Sequence, residues 1–164
     1  MSSVKNAKNI ITLVTLVEDV ALISLSRIPA KTAVISEIFA DLADNGINVD
    51  LITQSVSMGG DISLSFTVSN DDVPKVLTVT RRLREQNAGV CADVSVGNFK
   101  LSFFSENMRR TIGVAAYLFG LFKDNGLELK LISTSETDIS CLFDNEFYDK
   151  ALALARETFG RVAR

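Results

Sequence analysis

Apolar and polar residues alternate along the first half of this chain in a pattern that predicts five strands and two helices. We expect strands where β-branched residues or an every-second-residue pattern prevail, at 10–16, 21–26, 50–57, 62–68 and 90–96. The helices are predicted at 32–45 and at about 74–85. In the first helix, one apolar stripe contains Val34, Ile35, Ile38, Phe39 and Leu42. Asn45-Gly46 ends that helix, and Gly59-Gly60 turns between two strands.

Three short breaks in the pattern set further boundaries. We expect 18–19 to separate the first two strands and Gly97-Asn98 to form a turn. The oxygens of Asn70, Asp71 and Asp72 are expected to cap the second helix, whose first turn holds Pro74.

The second half of the chain repeats the first. Phe39 recurs as Phe119 and Asn45-Gly46 as Asn125-Gly126, at an offset of 80; the offset then falls to 75, because residues 57–61 are extra in the first copy. The second copy predicts a strand at 100–104, a helix at 112–125 with Gly126 as its cap, strands at 128–134 and 138–143, and a helix at 146–159 that 144–145 caps. A period of this length exceeds that of solenoid repeats and indicates two tandem modules.

Each copy follows the order β-α-β-β-α-β, but the second runs out at Arg164 before its last strand. The unmatched strand at 10–16 can replace this missing strand. We therefore predict that it pairs with the second copy and that the modules interleave. The expected domains are 17–97 and 98–164, the latter completed by 10–16. Small modules with open sheet edges also predict a dimer or a larger assembly.

The chemistry of the chain argues against catalysis. It has 164 residues and a net charge of −3, with no His and no Trp. The commonest general base and metal ligand is therefore missing. No glycine run of a phosphate-binding type occurs. We expect no catalytic residues, no metal and no cofactor.

The longest early apolar stretch, 10–17, is too short to span a membrane. Cys91 and Cys141 read as reduced thiols, so we expect a cytoplasmic protein.

Two segments could hold a free amino acid. The segment 27–33 leads into a helix N-terminus, where free N–H groups can bind a carboxylate. Asn48, Asp50 and Gln54 offer oxygens for an ammonium group. The alternative is that Asn48 and Asp50 only form a turn and that Gln54 lies on a solvated face.

Four runs resemble the paired ACT domains of aspartate kinases. They are GINVDLITQS at 46–55, DIS at 61–63, NMRRTIGVAA at 107–116 and LISTSE at 131–136. The resemblance extends from about residue 10 to 159. It implies an α+β fold of two ferredoxin-like βαββαβ modules that interleave. It also implies a regulatory module that binds an effector amino acid, of the lysine or threonine class, where ACT domains meet. That module would form a homodimer and control an aspartate kinase or another metabolic partner by feedback inhibition.

The resemblance also implies which residues form the effector site. In the first copy they are Ile28, Ala30, Thr32, Ala33, Val34, Asn48, Asp50 and Gln54. In the second copy they are Met108, Gly113, Val114, Ser133, Thr134, Ser135 and Glu136.

The chain departs from the family pattern in its first loop. The family usually carries Asp followed by Lys-Pro-Gly there, whereas this chain has Ala30-Lys31-Thr32-Ala33. In the second loop, Ile112 stands where Pro is usual. Because of these changes, the alternative remains that the chain is a structural or oligomerisation module that has lost effector binding. The kinase domain is absent too, which leaves a stand-alone regulator, a regulatory subunit or a fragment. An RNA-binding protein on the same topology is disfavoured by the acidic charge and the missing RNA-binding strand motif.

Overall fold

The computed structural model describes residues 9–56 and 59–164, which form two compact units. The first module is Asp19–Gly97, and the second combines the described residues up to Glu18 with Asn98–Arg164. The strands are β1 (Leu13–Pro29), β2 (Ile52–Gln54), β3 (Asp61–Ser69), β4 (Cys91–Phe104), β5 (Leu131–Thr134), β6 (Asp138–Asp144) and β7 (Val162–Ala163). The helices are α1 (Thr32–Asp44), α2 (Val73–Gln86), α3 (Val114–Asp124) and α4 (Tyr148–Phe159).

The first module has a sheet in which β3 pairs antiparallel with β1 and with β2, and β4 is the other neighbour of β1. Helices α1 and α2 contact each other. Ile23, Leu25 and Phe66 are completely or almost completely buried in the core, and the ring of Phe39 meets Phe66 edge-on at 5.9 Å. The alternating apolar residues of the strands thus face the apolar stripes of the helices, as the hydrophobic pattern predicts.

The second module has the same order with one strand borrowed from the N-terminus. β6 pairs antiparallel with β4 and β5. The Thr12 N–H donates to the Phe104 carbonyl at 2.9 Å, which joins the leading segment to the end of β4. β7 then runs parallel to β1, with Val162 opposite Val14. This short strand lies at the end of the second copy, where the sequence predicts no strand.

Phenylalanines dominate the core of the second module. The Phe143 ring stacks on Phe99 at 5.4 Å and meets Phe122 edge-on at 5.3 Å. Phe103 lies 5.7 Å from Phe122 and 5.6 Å from Phe159. Offset and edge-to-face pairs each add about 0.5–1.5 kcal/mol to the free energy of burial. The cluster therefore fixes α3 and α4 on the β4–β6 face, and so positions the N-terminus of α3.

Two predicted strand breaks are wrong. Residues 18–19 do not end a strand, because Asp19 takes a left-handed conformation at φ 56° inside the continuous strand β1. Gly97 likewise has φ 72° inside β4 and forms no turn. Each residue lies where the chain passes from one module to the other. A left-handed residue changes the direction of a strand locally without ending it.

Several element boundaries also differ from prediction. The helix predicted at 112–125 begins at Val114, and Ile112 is 86% exposed outside it. The strands predicted at 50–57 and 128–134 are shorter, at Ile52–Gln54 and Leu131–Thr134. Residue 57, which ends the first of these predicted strands, and residue 58 both belong to the extra segment at 57–61 and lie outside the described residues.

The predicted caps of the later helices belong instead to short 3₁₀ turns at Asn70–Asp72 and Asn145–Phe147. Ser69 accepts from the Asp71 N–H at 3.3 Å, and Asp144 accepts from the Glu146 N–H at 3.1 Å. The first 3₁₀ turn then continues into α2 and the second into α4.

The Asn-Gly pair ends α1 and α3 in the same way. The Asn45 side-chain amide donates to the Asp41 carbonyl at 2.7 Å, and that of Asn125 donates to the Leu121 carbonyl at 2.9 Å. Gly46 and Gly126 follow with φ 67° and 59°. This left-handed cap explains why the pair recurs in both copies.

Candidate functional site

A cavity of about 400 Å³ lies beside the N-terminus of α3 in the second module. Its first wall consists of Met108, Arg109, Thr111, Gly113, Val114 and Ala115, and its second wall of Thr134, Ser135, Glu136 and Ile139. A volume of this size lies in the range of small-molecule sites.

The first wall is formed by a short segment that turns tightly before it enters α3. Met108–Arg110 form a 3₁₀ turn, and the Thr111 hydroxyl donates to the Asn107 carbonyl at 2.9 Å. Gly113 follows at φ 94° as the N-cap of α3 and provides no side-chain acceptor. The first N–H groups of an α-helix have no partner within the helix. Together with the helix dipole, they make this end of the cavity suitable for a carboxylate.

The second wall is the turn between β5 and β6. The Ser135 hydroxyl accepts from the N–H groups of Thr137 at 3.2 Å and of Asp138 at 3.0 Å. The Thr137 carbonyl accepts in turn from the N–H of Ser105, which is completely buried. These bonds hold Glu136 at the apex of an ordered turn, where its side chain lines the cavity.

The cavity brings opposite charges together. Arg109 supplies a guanidinium group on the first wall, and Glu136 supplies a carboxylate on the second. Val114 and Met108 are buried and give the cavity an apolar base. A zwitterion with an aliphatic side chain has the complementary set of groups, since it carries a carboxylate, an ammonium and an apolar body.

Most second-copy residues that the resemblance implicates line this cavity; Ser133 does not, and lies on β5 opposite Ser140. Arg109 and Thr111, which lie within the stretch 108–114 that the resemblance implicates, also line it, as do Ala115 and Ile139, which were not predicted. The first three belong to the run at 107–116 that carries the resemblance, so that run was the available signal. Ile139 follows a turn, and nothing in the sequence indicated that it lines the cavity.

The first-copy residues lie at two places in the first module. Ile28 is completely buried in the core and presents no surface to a ligand. Ala30 donates its N–H to the Gly60 carbonyl at 2.9 Å, and Thr32, Ala33 and Val34 open α1. Lys31 is the N-cap and forms no side-chain capping bond.

The polar first-copy residues lie on the segment that leads into β2. Asn48, Asp50 and Gln54 are exposed. The Asp50 N–H donates to the Thr67 carbonyl at 3.0 Å, and Gln54 lies opposite Leu64 on β3. The side-chain oxygens of this segment are therefore accessible, while its backbone is held by β3.

Comparison with known families identifies the modules. A family model described as "ACT domain" matches residues 26–82 and again residues 101–159. The chain belongs to the ACT domain family. The two matches account for both copies of the internal repeat.

Relatives of these ACT domains occur in aspartokinases. The aspartokinase of Geobacillus stearothermophilus is 34% identical over 126 residues, which cover 77% of this chain and 30% of that protein. In its ligand-free crystal structure, the regulatory subunit of aspartate kinase from Thermus thermophilus is 29% identical with a TM-score of 0.82, covering 92% of this chain and 99% of that one. The aspartate kinase from Synechocystis is 29% identical with a TM-score of 0.86, covering 94% of this chain and 28% of that one.

The extent of these matches defines the part of the enzyme that this ACT pair resembles. The chain spans about a third of the length of the curated aspartokinases that it matches. It matches nearly all of the Thermus thermophilus regulatory subunit. It therefore corresponds to the regulatory ACT region and not to the kinase domain. No helix within 9–56 and 59–164 is long and apolar enough to cross a membrane.

Proposed function

We propose that this tandem ACT chain is an amino-acid-sensing regulatory module that binds an effector of the lysine or threonine class and controls an aspartate kinase. The observation that carries the proposal is the cavity at the N-terminus of α3. Its helix end, its guanidinium group and its carboxylate together match the two charges of a free amino acid. The similarity to the regulatory subunit from Thermus thermophilus supports the kinase as the controlled partner.

The effector carboxylate is placed at the first turn of α3, assisted by Arg109. Charge-assisted hydrogen bonds of this kind are the strongest available to such a ligand. The ammonium group is placed against Glu136, and the side chain against Val114. In the first module, the corresponding proposal puts a carboxylate at the N-terminus of α1 and an ammonium group at Asn48, Asp50 and Gln54. We propose that the effector binds where ACT domains meet, in a cytoplasmic homodimer.

A structural module without an effector is the second candidate. The observation that favours it is the first loop, where Ala30 and Ala33 replace the usual Asp and Gly. Lys31 at the N-cap provides no oxygen to hold an ammonium group. In this case the ACT pair serves assembly alone. Binding of an amino acid to the cavity at α3 separates the two candidates.

The decisive experiment is a thermal-shift panel of the twenty amino acids, followed by calorimetry. A bound effector at about 100 times its Kd adds about 2.7 kcal/mol to the free energy of unfolding. Arg109→Gln should weaken binding about tenfold or more, because a hydrogen bond to a charged group contributes roughly 1.5–3 kcal/mol. Arg110→Gln is the matched control, since it removes the same charge one residue away and Arg110 does not line the cavity. Absence of stabilisation by every amino acid would favour the structural module.

A further inference from the structure

A second site is built around Arg27 in the first module. β1 carries one extra residue between Leu25, opposite Leu64, and Ile28, opposite Ile62. Arg27 lies in this bulge with φ 58°, and only one other non-glycine residue of 9–56 and 59–164 has a positive φ. L-residues rarely adopt this conformation, and bulges commonly redirect a side chain. Backbone outliers of this kind are concentrated at functional sites.

Arg27 reaches a cavity of about 550 Å³ between the end of α2 and the start of β4. Its guanidinium group donates to the thiol of Cys91, and the segment 89–91 completes that side. Arg81 and Arg84, one turn apart on α2, line the cavity together with Glu85. The sheet and the helix therefore place three arginines around one volume.

These three arginines have no ionic partner among residues 9–56 and 59–164. None of them has a carboxylate within 4.0 Å in the part of the chain that the structure describes. The neighbouring Arg82, by contrast, pairs with Asp41 at 3.4 Å. Three guanidinium groups and one carboxylate leave the cavity lining with two positive charges, on a chain whose net charge is −3. Such an excess in a concave site attracts a multivalent anion.

We propose that this cavity binds a phosphate-bearing anion of small size, such as a pyrophosphate group. Arginine forks match phosphate oxygens in pairs. The three groups come from a strand and a helix, and a tetrahedral phosphate presents oxygens in several directions, whereas a carboxylate presents two in one plane. The anion's two or more negative charges balance the two of the lining. A second cavity of about 380 Å³ shares Arg27, Gly89 and Val90 with the first, but the carboxylate of Asp61 also lines it, so we place the phosphate group in the first cavity.

The test is calorimetry with pyrophosphate, ADP and citrate on the intact chain. Saturable binding of pyrophosphate that weakens with added salt is expected. Arg81→Gln and Arg84→Gln should each weaken it about tenfold or more. Arg82→Gln is the matched control on the same helix, because Arg82 does not line this cavity, and its Kd should stay within about twofold of the parent. ADP that binds more tightly than pyrophosphate identifies a nucleotide as the source of the phosphate.

Cys91 provides an independent readout at the same cavity. It is exposed, whereas Cys141, the other cysteine of the chain, is buried. Pyrophosphate should slow modification of the native protein by the neutral reagent N-ethylmaleimide, and this protection should disappear in the Arg81→Gln/Arg84→Gln variant.

The proposal is overturned if pyrophosphate shows no saturable binding, if citrate binds as tightly, or if Arg82→Gln weakens binding as much as Arg84→Gln. Equal melting temperatures of the variants and the parent confirm that the comparison is between folded proteins.

Discussion

The hydroxyl oxygens of Ser102 and Ser140 lie 2.7 Å apart at directly opposed positions of β4 and β6. The repeat reproduces this pair in the first module, where Ser24 of β1 opposes Ser65 of β3 at 3.2 Å. In the second module, Ser140 also donates to the Asp138 carboxylate at 2.7 Å, so Ser102 must be the donor to Ser140. Both serines are buried there. Opposed hydroxyl groups on neighbouring strands are a stabilising cross-strand pair.

Ser140→Ala should lower the free energy of unfolding by about 1–3 kcal/mol, because it leaves the Ser102 hydroxyl buried without its acceptor. Ser65→Ala should cost less, about 0.5–1.5 kcal/mol, since the Ser24–Ser65 pair is only half-buried and water can replace the lost partner. Urea denaturation of both variants measures the difference. Equal losses would show that burial of the serine pair does not determine its strength.

Two glycine-to-alanine substitutions should have opposite signs. Gly97→Ala should destabilise by about 1–2 kcal/mol, because a Cβ is strained at φ 72°. Gly120 lies inside α3, and no atom comes within 4 Å of the place that a Cβ would take, so Gly120→Ala should stabilise by about 0.5–1 kcal/mol. Thermal unfolding of the two variants provides the comparison. A stabilising Gly97→Ala would contradict the assignment of a strained conformation to that position.

The ion pair between Lys130 and Asp144 should make stability depend on pH. The Lys130 ammonium group lies 2.6 Å from the Asp144 carboxylate, and its hydrogen bond, with that from the Glu146 N–H, lowers the pKa of Asp144 below the ordinary 3.8. A lowered pKa in the folded state contributes stability that is complete above about pH 4 and is lost as the pH falls through the folded value. The contribution is small, because both side chains are partly exposed.

Asp144→Asn tests this dependence. The variant should be less stable than the parent at pH 7, and the difference should shrink as the pH falls below 4. Chemical denaturation at several pH values gives both curves. Asp93→Asn changes an exposed aspartate that forms no ion pair within the part of the chain that the structure describes, so its stability should follow the same pH dependence as that of the parent. A constant difference between Asp144→Asn and the parent would refute the electrostatic origin.

The two thiols should react at very different rates. Cys141 is completely buried, and burial together with the nearby charge of Asp138 raises its pKa to about 12. Because the thiolate is the reactive form, Cys141 should resist alkylation in the native protein at pH 8. Mass spectrometry should find one adduct per native chain, at Cys91, and two after denaturation. Rapid native modification of Cys141 would indicate frequent opening of the second module.

The two effector proposals can be separated by substitutions in each module. Glu136→Gln removes the carboxylate of the cavity at α3, whereas Asp50→Ala and Gln54→Ala remove acceptors of the first module. Loss of a charge-assisted hydrogen bond should weaken effector binding about tenfold or more. Calorimetry with the effector found by thermal shift identifies which module responds. Affinity unchanged in all three variants would reject both placements.

Local pattern was sufficient for most elements of the fold. The apolar stripe of α1 and the Asn-Gly caps are predictable because each signal depends on residues near one another in the sequence. The repeat predicts the two modules because the same pattern recurs 80 residues later. The breaks at Asp19 and Gly97 were misassigned for a physical reason, since a single left-handed residue looks like a turn in sequence but redirects a strand in the structure. β7, with two residues, is too short to show any periodicity.

The candidate site was only partly predictable. The resemblance points to Glu136 and Gly113, but spacing alone cannot show that Arg109 and Ile139 face the same volume. That proximity depends on the packing of α3 against β6, which brings the segment 108–115 together with the turn between β5 and β6. The cluster of Arg27 with Arg81 and Arg84 was equally hidden, because a bulge that redirects one side chain has no signature in composition.

The passage of β1 and β4 between the modules determines the order in which they can be completed during synthesis. The first module is one continuous stretch, Asp19–Gly97, and all of it emerges from the ribosome before Asn98. The second module must wait, since its leading strand is made before the first module and the partners of that strand, on β4 and β7, are made after it. Until then Val14 and Leu16, buried in the finished protein, have no strand to cover them. A chain released after residue 97 would therefore carry an unpaired apolar strand, a ready substrate for chaperones or for aggregation.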